Sequence, residues 1–238
     1  MKIIIIRHAE PDYPNNSLTN KGFLEAKYLG EYYKDFKYDY LYSSPLPRAY
    51  LTAKAFAHKE EDIIIKKWLE EFWHPITIKG DATRHNWDFY PRETTEYPEI
   101  YKDEFLTSEI GKSANLKELY DEVIKSFDEL LEEHGYKREN SYYRTVRPNK
   151  ETIVIVCHLG MMSLLMSRLC HIPYTTIAQH FFVAPSGVTT FVSEEREQGI
   201  AQFRCREFGN LDHLRRKNEP HSKFGSFAET FDTEDEMH

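Results

Sequence analysis

A run of four isoleucines, Ile3–Ile6, is the feature that most narrows the folds open to this 238-residue chain. β-Branched side chains favour strands, and a run without alternating polar residues is typical of a central parallel strand that is buried on both faces. The run is too short for a signal-peptide core and is followed at once by Arg7-His8. The sequence therefore predicts an α/β protein with a buried strand near its N terminus.

Strand and helix patterns alternate along the rest of the chain. Apolar residues recur at helical spacing over residues 20–34, and Pro47 suits the first turn of a helix that extends to about residue 58. The same reasoning predicts helices at 115–134 and 161–170, and strands at 38–42, 62–65, 152–157, 188–192 and 201–205. This alternation predicts a layered α/β domain with a mainly parallel sheet.

Residues of about 72–115 interrupt this rhythm. They are rich in aromatic residues and proline and show little periodicity, so we expect an insertion or lid on a single domain that spans residues 1–238. Six of their side chains either line the mouth of a substrate site or only pack the lid against the domain: Trp73, His74, His85, Trp87, Tyr90 and Arg92. Arg84 and Arg92 are either solvated or contacts for a second anionic group.

Charge and cysteine content limit the partners that we expect. Asp and Glu total 39 against 31 Lys and Arg, and the net charge of −8 disfavours nucleic acid and anionic membranes as partners. No segment approaches the roughly 20 apolar residues of a membrane span. Three cysteines without metal-type spacing indicate reduced thiols in the cytoplasm. A small anionic substrate is compatible with this composition, and the oligomeric state stays open.

Basic and imidazole side chains follow three of the predicted strands. The first strand ends in Arg7-His8, the second leads through a Ser-rich turn to Arg48, and the strand at 152–157 ends in His158. Ligands of open α/β sheets bind beyond the carboxyl ends of the strands. If these strands are neighbours, two guanidiniums and two imidazoles meet, which suits phosphate binding and nucleophilic phosphate chemistry.

Three segments resemble the motifs of one family. Ile6-Arg7-His8-Ala9-Glu10 resembles the Arg-His-Gly signature of the histidine phosphatase (phosphoglycerate mutase-like) superfamily, and Leu18–Gly22 resembles its Leu-Thr-x-x-Gly element. The segment from Ser43 to Ala53 is similar to the family's Ser-Ser-Pro-Leu-x-Arg-Ala-x-x-Thr-Ala motif. The order and spacing of the three segments, with a second histidine near residue 158, make the resemblance specific.

The resemblance implies a three-layer α/β/α sandwich and a phosphohistidine intermediate on His8. Arg7, Arg48 and His158 would hold the transferred phosphoryl group, and no metal or other cofactor would be needed. The family places its general acid shortly after the third strand. Glu71 fits that place, and Glu70 is the adjacent alternative.

Two positions depart from the family pattern without removing a catalytic group. Ala9 stands where the family usually has the glycine that follows the nucleophile. Leu159 stands where the family has the first glycine of His-Gly-Gly, and its bulk beside the pocket is expected to shape the substrate site.

Several functions are compatible with these motifs. The leading expectation is a metal-independent phosphatase of small phosphate monoesters. A phosphoglycerate mutase uses the same groups, although the mutase motif that follows the catalytic Glu is not found here. A phosphohistidine protein phosphatase and a non-catalytic binder of phosphorylated ligands are further alternatives. A metal-dependent hydrolase is suggested only by the eleven histidines, and their spacing does not fit a metal site.

Overall fold

The computed structural model describes residues 1–233 of the chain. Its strands are β1 (Lys2–Arg7), β2 (Pro11–Asp12), β3 (Ser17–Leu18), β4 (Tyr40–Ser43), β5 (Ile63–Ile65), β6 (Ile76–Ile78), β7 (Asp81–Arg84), β8 (Tyr136–Glu139), β9 (Tyr142–Thr145), β10 (Thr152–Cys157), β11 (Val188–Glu197) and β12 (Ile200–Asn210). Its α-helices are α1 (Asn20–Tyr33), α2 (Pro47–Phe56), α3 (Glu93–Glu96), α4 (Glu109–Lys112), α5 (Leu116–Glu133), α6 (Leu159–Cys170), α7 (Tyr174–His180) and α8 (Asp212–Arg215). Short 3₁₀ turns lie at Glu60–Asp62, Lys67–Leu69, Pro98–Tyr101 and Asp103–Thr107.

Eight strands form the central sheet, in the order β5-β4-β10-β1-β11-β12-β9-β8. The pairs β5-β4, β4-β10 and β10-β1 are parallel, and each remaining pair is antiparallel. Six of the eight strands consequently run in one direction, with β11 and β9 reversed. The expected α/β fold with a mainly parallel sheet is confirmed.

The isoleucine run of β1 separates two layers of helices. Ile3 and Ile5 belong to the larger core cluster, with side chains of α5 and α6. Ile4 and Ile6 belong to a second cluster, with side chains of α1 and α2. Alternate side chains of a strand point to opposite faces, so both faces of this strand are covered and the three-layer arrangement follows.

The polar, Tyr- and Arg-rich stretch between α5 and β10, which the sequence predicts to be a linker, contains a hairpin. Strands β8 and β9 pair from Tyr136↔Thr145 to Glu139↔Tyr142 and extend the sheet at its edge. Asn140 in the two-residue loop has a φ of 52°, within the left-handed region that Asn adopts more readily than most residues. The prediction of a linker alone was wrong. Three of the four residues of β8 are charged, so this strand lacks the alternation of apolar and polar residues by which a strand is recognised.

The segment at 72–115 is made of short elements. It comprises the β6-β7 hairpin, α3, two 3₁₀ turns and α4. Phe89, Ile100 and Phe105 are buried within the larger core cluster, so the segment shares its apolar core with α5 and α6.

The end of the described chain returns to the carboxyl edge of the sheet. The Ser222 backbone N–H donates to Glu25 Oε1 at 3.2 Å, and the Ser222 hydroxyl donates to Glu10. The acidic end of the sequence, residues 234–238, lies outside the described residues. Among residues 1–233, no helix is long and apolar enough to cross a membrane.

Candidate active site

The ends of β1, β4 and β10 bring the predicted residues to one place. β10 lies between β4 and β1, and its register pairs Arg7 with Cys157 and Val156 with Ser43. The residues that follow these strands therefore emerge at the same level of the sheet. Arg7, His8 and His158 are all buried there.

His8 has one ring nitrogen fixed and the other available. Its Nδ1 lies 2.7 Å from the carbonyl oxygen of Ala9, and its backbone N–H donates to Cys157 O at 2.9 Å. A carbonyl oxygen only accepts, so Nδ1 carries the proton and a neutral ring keeps the lone pair on Nε2. Burial, and next the charge of Arg7, hold the pKa of His8 well below its usual range. The ring is therefore neutral at neutral pH.

His158 lies beside His8 at the first position before α6. The two ring centroids are 5.0 Å apart, with their planes at 60°. His158 Nε2 lies 2.8 Å from the Ser44 hydroxyl, while Nδ1 has no partner within residues 1–233. Burial, and next the coulombic effect of His8, hold the pKa of His158 well below its usual range. An incoming phosphate dianion would oppose that shift.

Arg7 is held by two backbone carbonyls. Its Nη1 donates to Val183 O at 2.6 Å and its Nη2 to Phe224 O at 3.3 Å, while Nε has no partner among the described residues. Burial lowers the pKa of Arg7 to about 10. The guanidinium therefore stays charged at neutral pH, and its geometry leaves an N–H free for a phosphate oxygen.

Arg48 comes from the first turn of α2, where Pro47 begins the helix. Its guanidinium lies over the ring of Tyr13, with the central carbon 5.1 Å from the ring centroid. The Arg48 Nε also lacks a partner within the described part of the chain. Both guanidiniums named from the sequence thus reach the site with an N–H unpaired.

Glu71 lies in the same site, directly after the turn that follows β5. Its Oε1 accepts hydrogen bonds from the backbone N–H groups of Phe72 at 2.9 Å and Met161 at 3.0 Å. Burial raises the pKa of the Glu71 carboxyl, and the Met161 hydrogen bond and Arg7 oppose the shift. Glu71 lines a pocket with Arg48, and Glu70 is not among the lining residues. The geometry favours Glu71 over Glu70.

The two departures from the family pattern have different surroundings. Ala9 is buried, and its backbone N–H donates to the Thr52 hydroxyl at 3.0 Å. Leu159 packs against the larger core cluster and does not line the pocket beside Glu71. The next residue, Gly160, is the one whose backbone packs closely against the site. A Cβ added there would lie 2.5 Å from the Trp87 ring and 2.8 Å from Glu71 Oε1.

Some site residues were not singled out from the sequence. Ser44 and Thr52 lie inside a quoted motif, so attention to every hydroxyl in it would have found them. Phe224 contributes only its backbone carbonyl to Arg7, and Tyr13 contributes a ring beneath Arg48. A backbone contact that spans more than 200 residues leaves no signal in the sequence.

The lid residues divide into two groups. Trp73 and His85 line the pocket beside Glu71, together with Tyr13, Leu46 and Arg48. Arg84 does not face it: its guanidinium donates to Glu93 Oε2 at 3.1 Å and stacks on Tyr90. Arg92 is an exposed residue at the start of α3. Among residues 1–233, no three His, Cys, Asp or Glu side chains are grouped so that they could hold a metal ion.

Comparisons with known proteins match most of the chain to one family. The model of the histidine phosphatase superfamily (branch 1) matches residues 3–206. Phosphoserine phosphatase 1 of Hydrogenobacter thermophilus is 26% identical over 180 residues, which are 71% of this chain and 76% of that protein.

Solved structures share the fold. A mutant phosphoserine phosphatase of Entamoeba histolytica, in complex with phosphoserine, has a TM-score of 0.57 at 21% identity, over 90% of this chain and 98% of that one. The α-ribazole phosphatase of Shigella flexneri has a TM-score of 0.55 at 20% identity, over 89% of this chain and 97% of that one. At these identities the likeness concerns the fold alone.

Proposed function

The chain belongs to the histidine phosphatase superfamily, and on that premise we propose that it is a metal-independent phosphatase of small phosphate monoesters that uses a phosphohistidine intermediate on His8. The observation that carries the proposal is the hydrogen bond from His8 Nδ1 to Ala9 O at 2.7 Å. It leaves a neutral Nε2 as nucleophile beside two guanidiniums and a second imidazole. The phosphatases to which the chain is similar support the same activity.

In the first step, His8 Nε2 attacks the phosphorus atom. The N–P bond forms while the bond from phosphorus to the ester oxygen breaks. Arg7, Arg48 and His158 bind the equatorial oxygens, whose charge needs stabilisation in the transition state. Glu71, whose pKa is raised by burial, donates its proton to the departing alcohol oxygen.

In the second step, water attacks the phosphohistidine. The ionised Glu71 accepts a proton from the water, the N–P bond breaks, and inorganic phosphate leaves with its charge paired to the same cations. His8 returns to its neutral form. The hydrogen bonds from Phe72 and Met161 hold Glu71 Oε1, so Oε2 is the oxygen that carries the proton in both steps.

Phosphate release from a panel of phosphate monoesters, including phosphoglycerates and phosphoserine, in excess chelator tests the proposal. The native protein should release phosphate, His8→Ala should not, and His180→Ala should behave as the native protein. His180 is a matched control because it lies at the end of α7 and bonds to the Tyr101 hydroxyl at 3.1 Å.

Trapping of the phosphoenzyme tests the intermediate itself. Acid-labile, base-stable label from ³²P-substrate should appear in a peptide that contains His8. His8→Asn, which keeps a hydrogen-bonding group near Ala9, serves as a second variant if His8→Ala fails to fold. Chelator-sensitive release, or equal release by the His8 variants, contradicts the proposal. Phosphate transfer between phosphoglycerates without release would indicate the mutase instead.

A further inference from the structure

A pocket of about 450 Å³ lies beside the proposed catalytic groups. Its lining consists of Tyr13, Leu46, Arg48, Glu71, Trp73 and His85. If Arg48 holds the phosphoryl group and Glu71 protonates the ester oxygen, the alcohol part of the substrate lies between them and the remaining lining. The inference below rests on the proposed function for that reason.

Aromatic rings form much of this lining. The Trp73 ring meets the His85 ring edge to face, with centroids 5.6 Å apart, and His85 meets Trp87 in the same way at 5.3 Å. Trp87 is anchored in turn against Gly160. Trp73 is nevertheless 45% exposed. A large apolar ring held in place with an open face in a pocket suits contact with another aromatic ring.

Tyr13 adds a second ring, which is 56% exposed and has contacts on two sides. Arg48 lies over it at 5.1 Å, and the Phe224 ring lies 5.6 Å away. Leu46 adds an aliphatic surface. Rings that are already held by neighbours lose little freedom on binding, so their contacts with a ligand are favourable.

Spare positive charge is missing from the lining. Of the described residues 1–233, Arg48 is the one Lys or Arg that lines the pocket, and the proposed function assigns that group to the phosphoryl oxygens. Arg84 is paired with Glu93. Partial burial lowers the pKa of His85, so its ring is neutral at neutral pH. A carboxylate on the substrate would find no cation here and would face Glu71.

We propose that the substrate is a phosphate monoester whose alcohol part carries an aromatic ring near the ester oxygen and no second negative charge. Trp73 is the main specificity-determining residue, and Tyr13 and His85 complete the ring contacts. Phosphoserine and phosphoglycerates are then poor substrates of this chain.

Three substrates with alkyl alcohol leaving groups test this preference, and the two uncharged alcohols among them have similar leaving-group reactivity. They are 2-phenylethyl phosphate, ethyl phosphate and O-phosphoserine, each assayed for kcat/KM with the native protein. The kcat/KM for 2-phenylethyl phosphate should exceed that for each of the other two substrates by about tenfold or more, as expected for a ring that is buried against aromatic side chains.

Variants locate the effect. Trp73→Ala should bring the ratio of kcat/KM for 2-phenylethyl phosphate to that for ethyl phosphate close to one, whereas Trp73→Phe should keep most of it. Tyr90→Ala is the matched control, because Tyr90 is an exposed aromatic residue of the same segment that does not line this pocket. Its ratio should equal that of the native protein. His85→Arg should raise kcat/KM for O-phosphoserine relative to ethyl phosphate.

The outcomes separate the two proposals. His8-dependent hydrolysis with a ratio near one, or with O-phosphoserine preferred, overturns the aromatic preference and leaves the phosphatase in place. A native ratio that survives Trp73→Ala overturns the assignment to Trp73. If the protein hydrolyses neither the three esters nor any member of the panel, the proposed function is overturned and the preference with it.

Discussion

The role of Glu71 predicts that Glu71→Gln will slow the enzyme to an extent that depends on the leaving group. A Gln oxygen can accept the same two backbone hydrogen bonds that now fix Glu71 Oε1, from Phe72 at 2.9 Å and Met161 at 3.0 Å. The change therefore replaces Oε2, the oxygen that carries the proton, by an amide nitrogen, and the side chain keeps its position. The variant should fold with nearly native stability.

The expected magnitude follows from the loss of general acid catalysis. For an alkyl phosphate, whose leaving oxygen must be protonated, kcat/KM should fall by about 100- to 10,000-fold, or about 3–5 kcal/mol of transition-state stabilisation. For 4-nitrophenyl phosphate, whose leaving group departs as an anion, formation of the phosphoenzyme should be much less affected. Because the base for the second step is also lost, rapid mixing should show a burst of nitrophenol followed by slow turnover.

The pH profile gives an independent measurement. Glu71 must be protonated in the free enzyme, and burial raises its pKa, so the alkaline limb of native kcat/KM for alkyl phosphates should lie above the usual pKa of a carboxyl. His8 must be neutral, and its pKa is well below the usual range, so the acid limb should lie below that of free imidazole. In Glu71→Gln the alkaline limb should disappear.

Glu70→Gln is the matched control, since it makes the same change one residue away. It should retain kcat/KM within a few-fold for both kinds of substrate. Equal losses for alkyl and 4-nitrophenyl phosphates in Glu71→Gln, or a larger loss in Glu70→Gln, would refute the assignment of the general acid.

Three further predictions concern crowding, a hydrogen bond and a buried carboxyl. Gly160→Ala places a methyl group 2.5 Å from the Trp87 ring, so kcat should fall at least about tenfold and the free energy of unfolding by about 1–3 kcal/mol. Gly30→Ala would place its methyl group 2.0 Å from the Ala55 carbonyl oxygen, between α1 and α2 and away from the site, and should lower only the stability measured in urea. Ser44→Ala removes the partner of a buried imidazole nitrogen, which should cost about 1–3 kcal/mol of unfolding free energy and reduce kcat. Burial raises the pKa of Glu25 to about 7, above its value in the unfolded chain, so the folded state holds this proton to higher pH. The free energy of unfolding should therefore fall by up to about 3 kcal/mol between about pH 4.5 and 7, and guanidinium unfolding of Glu25→Gln should show a flatter pH dependence.

The strands that carry the site could be predicted from the sequence because local composition decides them. The run Ile3–Ile6 has no alternation, and its burial on both faces of the sheet is what such a run requires. The hairpin at Tyr136–Thr145 was missed because it lies at the sheet edge, where three of the four residues of β8 and two of the four residues of β9 are polar. Asn140, which lies in the turn of this hairpin, was a usable signal for the turn.

The sequence by itself also determined which groups meet at the site. Arg7, His8 and His158 follow directly on predicted strands, and the parallel arrangement of those strands brings their ends together. The motif around Arg48 added the fourth group. The location of reactive side chains at strand ends can be predicted from the sequence, because strand direction and alternation fix where those ends lie.

Only the tertiary structure decided the contacts between distant segments. The sequence favours Glu71 over the adjacent Glu70 only through the resemblance to the family. The structure separates them physically, because the backbone N–H of Met161 donates to Glu71 Oε1. Three other contacts also join segments that are apart in the sequence or in the fold. They are the hydrogen bonds between Ser44 and His158, from Arg7 to the Phe224 carbonyl and from Arg84 to Glu93. Each depends on where a remote backbone or side chain packs, and local spacing carries no information about that.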